Sequence, residues 1–541
     1  MSELDPRTAR FYDRLAEGLL LLLALVVLLT FRDYGVAWDE PVQNVYGKMA
    51  LNYYLTLGAD DAALSYLNLN CYGALVDMLN AAANKFSPFH EYDTRHLIGG
   101  LIGIAGVAAT WRLGRFYGGP RAGFVAALLL ALTPAWHGSA FFNPKDIPFA
   151  VGLTLAALFM ARIAAGLPEW RWCDFLGVGA GIGVALAARV GGMIGLAYLA
   201  AMLGLFAVLA LVDRVPFPRV LRQVGGLVPP AAAASALALA IMYFGWPWSQ
   251  TKPILGPIEA FKSFNHFPIV FDFPYFGMIV RSTRPPWYYE PGLFAVMLPE
   301  LAVVGFAAAA ALGLVALWRA RRGPYAPLLP QAMLGLAIVF PMVYAPATGA
   351  VLFDGLRHMF FVVPPVIVAA SLAVERLAQA GVWARFLALG LVAATTVNQG
   401  RLLAQSHPYE YVVYNAFIGG AKGAEERFEL DYWGTAYSEL VLGMDRKLTE
   451  AGAPGTPERP WRITVCGPEA SAEIFFPPNY VLVRWLKTAE SDFYISNTRY
   501  QCPPLNPEHR AKLGPKPVFL DVRRFGVPLA RVYDLRTPPG Q

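Results

Sequence analysis

Eleven apolar runs constrain this chain more than any motif does: they lie near 15–31, 96–111, 122–137, 147–164, 174–188, 192–212, 223–243, 293–317, 327–345, 358–374 and 386–403. Runs of ~15 to 25 residues are long enough, as helices, to cross about 30 Å of hydrocarbon. In lipid a backbone must satisfy its own hydrogen bonds, which favours helices there. Composition agrees, with 56% hydrophobic and 15% charged residues and a mean hydropathy of +0.44, against roughly a quarter charged in soluble domains. The first run has no small-x-small cleavage site and continues into Phe31-Arg32-Asp33-Tyr34, so it reads as an uncleaved span. The fifth is short, ends at Ala188-Arg189-Val190-Gly191-Gly192, and is either a span or part of a broken helix.

The net charge of +6 forms no basic face or tail, which excludes a nucleic-acid partner. Residues 405–541 hold 16 Lys+Arg and 16 Asp+Glu, so the excess belongs to residues 1–404. With the amino terminus in the cytoplasm, the inner segments carry 16 basic residues in roughly 66 positions, against 12 in roughly 140 outside, the asymmetry of the positive-inside rule. An odd number of spans then puts residues 405–541 outside. Strand-like runs at 462–466, 492–496, 518–522 and 529–533, the last two forming a hairpin at Phe525-Gly526, follow a helix near 435–452. The expected fold is an all-α polytopic membrane domain (1–404, about eleven transmembrane helices) with a small extracytoplasmic α/β domain (405–541). The expected location is a bacterial inner membrane. Cys466 and Cys502, outside, are free to pair in an oxidising medium; Cys173, inside, stays a thiol.

The polar features gather on the outer side. Asp39 and Glu40 follow the first span, where adjacent acids are costly unless something cationic or reactive uses them. His90, Glu91, Asp93, Arg95 and His96 crowd the start of the second span, as a helix cap or as ligands for a divalent metal; no CxxC or zinc spacing occurs, and metal dependence stays open. Lys145 and Asp146, bracketed by Pro144 and Pro148, read as a pair held in a non-helical turn. The loop 244–292 is aromatic-rich, as expected of headgroup anchors, some of them available to stack on a sugar. Arg357 and His358 stand at the outer end of the tenth span.

Several pieces together resemble the GT-C superfamily of polyprenyl-phosphate-sugar glycosyltransferases, in the family 39-like branch of protein O-mannosyltransferases, the lipid A aminoarabinose transferase and bacterial lipopolysaccharide-core transferases. They are Trp38-Asp39-Glu40, Arg95-His96, the glycine-rich stretch from Gly114 to Gly123, Leu132-Thr133-Pro134 and Lys145-Asp146. The resemblance covers about the first 200 residues, with a looser match at the arginine-led tenth span. No loop is large enough for the β-trefoil insert of the protein O-mannosyltransferases, so no named substrate carries over. The resemblance implies a polyprenyl-phosphate-linked sugar as donor and a glycan, lipid or protein hydroxyl as acceptor. It implies Asp39 as the base, Glu40 and Asp146 in acceptor or metal contact, and Lys145, Arg95, Arg357 and, beside it, His358 as holders of the donor phosphate. Asp431 and Trp433 lie in a stretch that also resembles the superfamily, and they either line the catalytic mouth or pack a junction.

Such chemistry needs a base for the acceptor hydroxyl and positive charge for the departing phosphate. A partly desolvated Asp39 is expected to have a raised pKa. No glycine-rich phosphate loop follows a strand, as a lipid-borne donor requires none. A transporter or lipid flippase is the rival reading, but no inverted repeat or paired interrupted helices occur. An envelope polysaccharide polymerase or ligase is a third.

Overall fold

The computed structural model describes residues 5–265, 270–484, 488, 490–503 and 505–536. Its helices are α1 (Pro6–Thr30), α2 (Glu40–Leu55), α3 (Leu75–Asn84), α4 (Glu91–Ala131), α5 (Pro134–Phe142), α6 (Asp146–Gly166), α7 (Trp172–Leu186), α8 (Met193–Val212), α9 (Phe217–Gly245), α10 (Pro247–Thr251) and α11 (Leu255–Asn265). After a two-stranded hairpin, β1 (Asp272–Tyr275) and β2 (Met278–Arg281), come α12 (Tyr289–Met297), α13 (Glu300–Arg319), α14 (Leu329–Thr348), α15 (Val363–Gln379), α16 (Val382–Ser406), α17 (Gly420–Ala424) and α18 (Tyr437–Glu450). The tail adds β3 (Trp461–Val465), α19 (Glu469–Glu473), β4 (Tyr480–Leu482), β5 (Phe493–Asn497), α20 (Pro507–Leu513), β6 (Val518–Arg524) and β7 (Val527–Asp534).

Every one of the eleven apolar runs is helical, though not always as one rod. Among the described residues eight helices are long and apolar enough to cross a membrane. α7 has only 15 residues, and the apolar part of α1 follows Asp13, Arg14 and Glu17. α4 supplies two of the runs. Gly119, at φ 83° and ψ −176°, and Pro120 after it stop one helical arm and start another. A Cβ on Gly114 would stand 2.8 Å from that of Ala126. Twelve helical residues span about 18 Å in a straight helix, so the arms fold back as a tight hairpin. The run 293–317 breaks at Leu298-Pro299 into α12 and α13. The fifth run breaks after α7, where Ala187, Ala188 and Arg189 separate it from a short turn, Val190–Gly192, and α8.

The tail sheet has the order β4-β3-β5-β7-β6, with β3 parallel to β4 and β5 and the remaining pairs antiparallel. The β6–β7 turn places Phe525 and Gly526 at φ 53° and 79°, as a two-residue hairpin turn requires. Cys466 and Cys502 are disulfide-bonded. Residues 409–437 share one apolar core with the membrane helices: Tyr409, Tyr411, Trp433 and Tyr437 pack with Trp136 and Phe142 of α5 and with Ile463 and Phe493 of the sheet.

The aromatic loop is more ordered than a set of headgroup anchors. Trp246, Phe273 and Tyr275 are buried, and Tyr275 bridges to Phe428; Trp287 stays exposed. His266, Phe267 and Pro268 lie outside the described residues.

Candidate active site

Asp39 is the cap residue of α2, and its neighbour Glu40 begins the helix ahead of Pro41. Glu40 turns inward. Its Oε2 accepts the Ala37 amide at 2.8 Å and lies 3.2 Å from His96 Nε2, closing the turn that carries Asp39. Asp39 turns the other way, with about a quarter of its side chain exposed. Lys145 Nζ donates to Asp39 Oδ2 at 3.0 Å, and Arg357 Nη2 donates to the same oxygen at 3.1 Å.

Lys145 and Asp146 are placed by Asn143, whose Oδ1 accepts the amides of both, at 3.3 and 2.9 Å. This side-chain turn launches α6, so the pair does not stand in an all-irregular loop: Lys145 is the cap and Asp146 the first helical residue. A carboxylate there also lies at the positive end of the helix dipole. Asp146 accepts from Asn143 Nδ2 at 2.9 Å, from Arg357 Nε at 3.3 Å, and from Arg189 in a short ion pair. Arg357 lies on the 3-10 segment Gly355–Val362 that leads into α15. Its Nη1 donates to Asp354 Oδ2 at 3.0 Å, and Arg499 from the tail pairs with the other oxygen of Asp354 at 3.1 Å.

The cluster therefore joins three carboxylates, Asp39, Asp146 and Asp354, to four cations, Lys145, Arg189, Arg357 and Arg499. Among these ion-paired groups the cations exceed the carboxylates by one, with the Glu429 carboxyl facing Arg499 from outside the set. Aromatic faces shelve the cations: Tyr72 lies 4.6 Å from Lys145 Nζ, Trp433 4.5 Å from the Arg357 guanidinium and Trp38 4.6 Å from that of Arg499. The Trp433 carbonyl accepts the Trp38 amide at 2.9 Å, tying the tail to the α1–α2 loop.

These charges correct the expectation for Asp39. Burial raises its pKa, but the Lys145 ammonium and the Arg357 guanidinium outweigh burial and hold the carboxyl well below the usual carboxylate range. At effective dielectric 20 a unit-charge contact near 3 Å carries roughly 5 kcal/mol of gross Coulomb attraction, and Asp39 has two.

Other sequence-derived candidates fall elsewhere. Arg95 is buried within the protein, donating to Asp77 Oδ1 at 2.8 Å, with Glu40 3.9 Å away. Burial raises the Asp77 pKa despite Arg95. His358 follows Arg357 but packs edge-on against Phe353, and its Nδ1 has no partner among the described residues. Asp431 closes a turn: Gly434, Thr435 and Ala436 donate their amides to it at 2.9, 3.1 and 3.2 Å, and Tyr411 adds a short hydroxyl contact. Burial pushes its pKa up to about 6. Trp433 does join the cluster, through Arg357. Glu91 pairs with Lys48 and His90 stacks on Tyr92. Among the described residues no three His, Cys, Asp or Glu side chains come together as a metal cage, and Asp39, Asp146 and Asp354 each face at least two cations.

Sequence reasoning missed Asp354, Arg499, Tyr72 and the roles of Asn143 and Arg189. Arg189 did leave a signal, an arginine interrupting an apolar run. Arg499 lies in the tail with nothing local to mark it.

Residues 96–248 match the family model described as dolichyl-phosphate-mannose-protein mannosyltransferase. No curated protein matches the chain. Among solved structures, ArnT from Cupriavidus metallidurans in the apo state is 16% identical, with a TM-score of 0.50 over 97% of this chain and 98% of that one. The same protein bound to undecaprenyl phosphate is 17% identical, with a TM-score of 0.48 over 95% and 97%. The archaeal oligosaccharyltransferase AglB from Archaeoglobus fulgidus, in complex with an inhibitory peptide and a dolichol-phosphate, is 12% identical, with a TM-score of 0.48 over 89% of this chain and 69% of that one. The family match lies across α4 to α10, and the end-to-end correspondence with apo ArnT shows that the chain shares that protein's fold.

Proposed function

We propose that this protein is an integral-membrane glycosyltransferase that moves a sugar from a polyprenyl-phosphate-linked donor to a hydroxyl of a glycan, lipid or protein acceptor outside the cytoplasm. The observation that carries the proposal is the surplus of positive charge around Asp39 at the ends of apolar helices. A lipid phosphate must lie at that boundary, and a net-positive, partly desolvated cluster suits it. The membrane would be the bacterial inner membrane, with the amino terminus cytoplasmic and residues 405–541 periplasmic; the charge asymmetry of the loops and the Cys466–Cys502 disulfide support this.

In the proposed reaction the acceptor oxygen forms a bond to the anomeric carbon, the bond from that carbon to the phosphate oxygen breaks, and the acceptor proton passes to Asp39. The leaving phosphate gains one negative charge, which Lys145, Arg357 and Arg189 take up. Asp39 is a weak base while Lys145 and Arg357 both face it. A donor phosphate that draws those two cations away would raise its basicity where the proton must go. One displacement inverts the anomeric centre.

The direct test is transfer from a polyprenyl-phosphate sugar in membranes holding folded Asp39→Asn protein. Undiminished transfer would overturn the assignment of the base. Comparing lipid extracts and surface glycans of wild-type and deletion cells by mass spectrometry would identify the sugar and the acceptor, and an unchanged glycan profile would count against the whole reading.

A further inference from the structure

A water-accessible cavity of about 370 Å³ lies at the opposite end of α6 from the charge cluster. Asp146 opens that helix, and Ala165 near its other end lines the cavity. At ~1.5 Å per residue the rise between them is about 28 Å, close to the ~30 Å depth of the hydrocarbon. The reaction proposed for Asp39 therefore has no use for this space. Its walls come from four helices: Phe116 and Tyr117 from the first arm of α4, Ala165 from α6, Phe206 from α8 and Pro330 from α14. The Tyr117 hydroxyl donates to the Pro330 carbonyl at 2.7 Å, joining α4 to α14. Phe206 is buried and Ala165 exposed, so the space runs from the bundle interior to its surface. It has room for on the order of ten groups the size of a water, and none of the residues lining it is charged.

Cations gather at its mouth. Asp213, which follows α8, accepts the amides of Tyr325 and Ala326 at 2.8 Å each, and Ala326 lines the cavity. Arg214 is the next residue after Asp213, and the Tyr325 hydroxyl donates to the carbonyl of Arg321. Both arginines are exposed. Among the described side chains, the loops 167–171, 213–216 and 319–328 that bound the mouth carry four arginines, Arg171, Arg214, Arg319 and Arg321, against two acids, Glu169 and Asp213. We propose that this cavity seats an acyl chain of an anionic phospholipid from the leaflet beside those loops, with the lipid phosphate on Arg214 and Arg321. An uncharged slot disfavours a charged group inside it, whereas a basic mouth between membrane helices selects a negative headgroup, and guanidinium groups suit phosphate. A free phosphate ion would leave the slot unfilled. The phosphate of the carrier lipid, in the proposed reaction, sits at the other end of α6.

The seat rests on the membrane reading above and not on the identity of the reaction. Full-length protein in a mild detergent is titrated with phosphatidylglycerol or with phosphatidylcholine of the same acyl chains, and bound lipid is counted by native mass spectrometry. Phosphatidylglycerol should bind about tenfold or more tightly than phosphatidylcholine. Ala165→Trp, which fills the slot from an exposed position, should abolish that preferred binding; Gln331→Trp fills the same slot from α14 should Ala165→Trp fail to fold. Arg214→Asn combined with Arg321→Gln should weaken phosphatidylglycerol about 10- to 30-fold and leave phosphatidylcholine as in wild type. Undecaprenyl phosphate should bind these variants as it binds the wild type, which also reports that they are folded. Equal binding of the two phospholipids, or phosphatidylglycerol binding unchanged in the filled or the arginine variants, overturns the seat. So does displacement of phosphatidylglycerol by undecaprenyl phosphate, which would give the slot to the carrier's chain. Failure of undecaprenyl phosphate to bind the wild type overturns the glycosyltransferase reading and leaves the seat standing.

Discussion

Asp39 and Glu40 are neighbours in the chain and belong to different sites. Asp39, about a quarter exposed, faces a cluster with one more cation than carboxylates. Glu40, 1% exposed, faces His96, the Ala37 amide and, at 3.9 Å, Arg95, which is itself paired with Asp77. Both clusters are buried ion-pair networks built at the same helix end. The first has charge to spare and an opening to solvent, which is what a charged substrate needs. The second has neither, and its acids and bases hold α2, α3 and α4 together. Intramembrane charge alone does not identify a site; surplus charge with access does.

The sharpest way to break this comparison is to neutralise each side without changing its shape. Asp39→Asn is expected to lower transfer by ~10²–10⁴-fold with the protein still folded, measured as product formed per folded molecule. Arg95→Met is expected to cost about 3–5 kcal/mol of stability, because Asp77 is left as a buried unpaired carboxylate. Thermal unfolding in detergent measures that loss, and transfer per folded molecule should stay near wild type. A large catalytic loss in Arg95→Met at full stability would erase the distinction between the clusters.

Glu290 sharpens it from a third direction, as a buried acid with no cation at all. Neither carboxylate oxygen has a partner among the described residues, and burial raises its pKa to about 8. The folded state then binds more protons than the unfolded state between about pH 4.3 and 8. Stability is full below that window and falls as pH rises through it. Glu290→Gln should flatten the fall, with a gain on the order of a few kcal/mol near pH 8, read from unfolding midpoints across pH 5 to 9. The smallest effect is expected for Lys145→Ala, which removes one of several cations: donor binding should weaken ~10- to 100-fold, measured with undecaprenyl phosphate, while the Arg357 contact still orders Asp39. Unchanged binding would remove Lys145 from the phosphate site.

Much of the candidate site was legible as a list and little of it as an arrangement. Lys145, Asp146, Arg357 and Asp39 stood out because charges beside long apolar runs are conspicuous. Arg95 stood out for the same reason and belongs to the structural cluster; sequence context is identical for a cation that faces a substrate and one that faces Asp77. Asp431 shows the same limit, since an acid that ties the amides of a turn three to five residues on and an acid that lines a mouth look alike in the chain. The expected pKa of Asp39 had the wrong direction because burial can be anticipated from position, whereas the Lys145 and Arg357 partners come from 106 and 318 residues away.

By itself the sequence determined the membrane class, the eleven helical runs and the β6–β7 hairpin, since span length, hydropathy and turn preference are local properties carried by consecutive residues. Only the tertiary structure decided that the 114–123 stretch reverses a helix on itself, that Arg189 and Arg499 complete the charge cluster, and that Glu40 and Asp39 part ways. Those outcomes depend on which distant side chains share a low-dielectric volume, and electrostatic partnership in such a volume follows distance in space rather than distance along the chain.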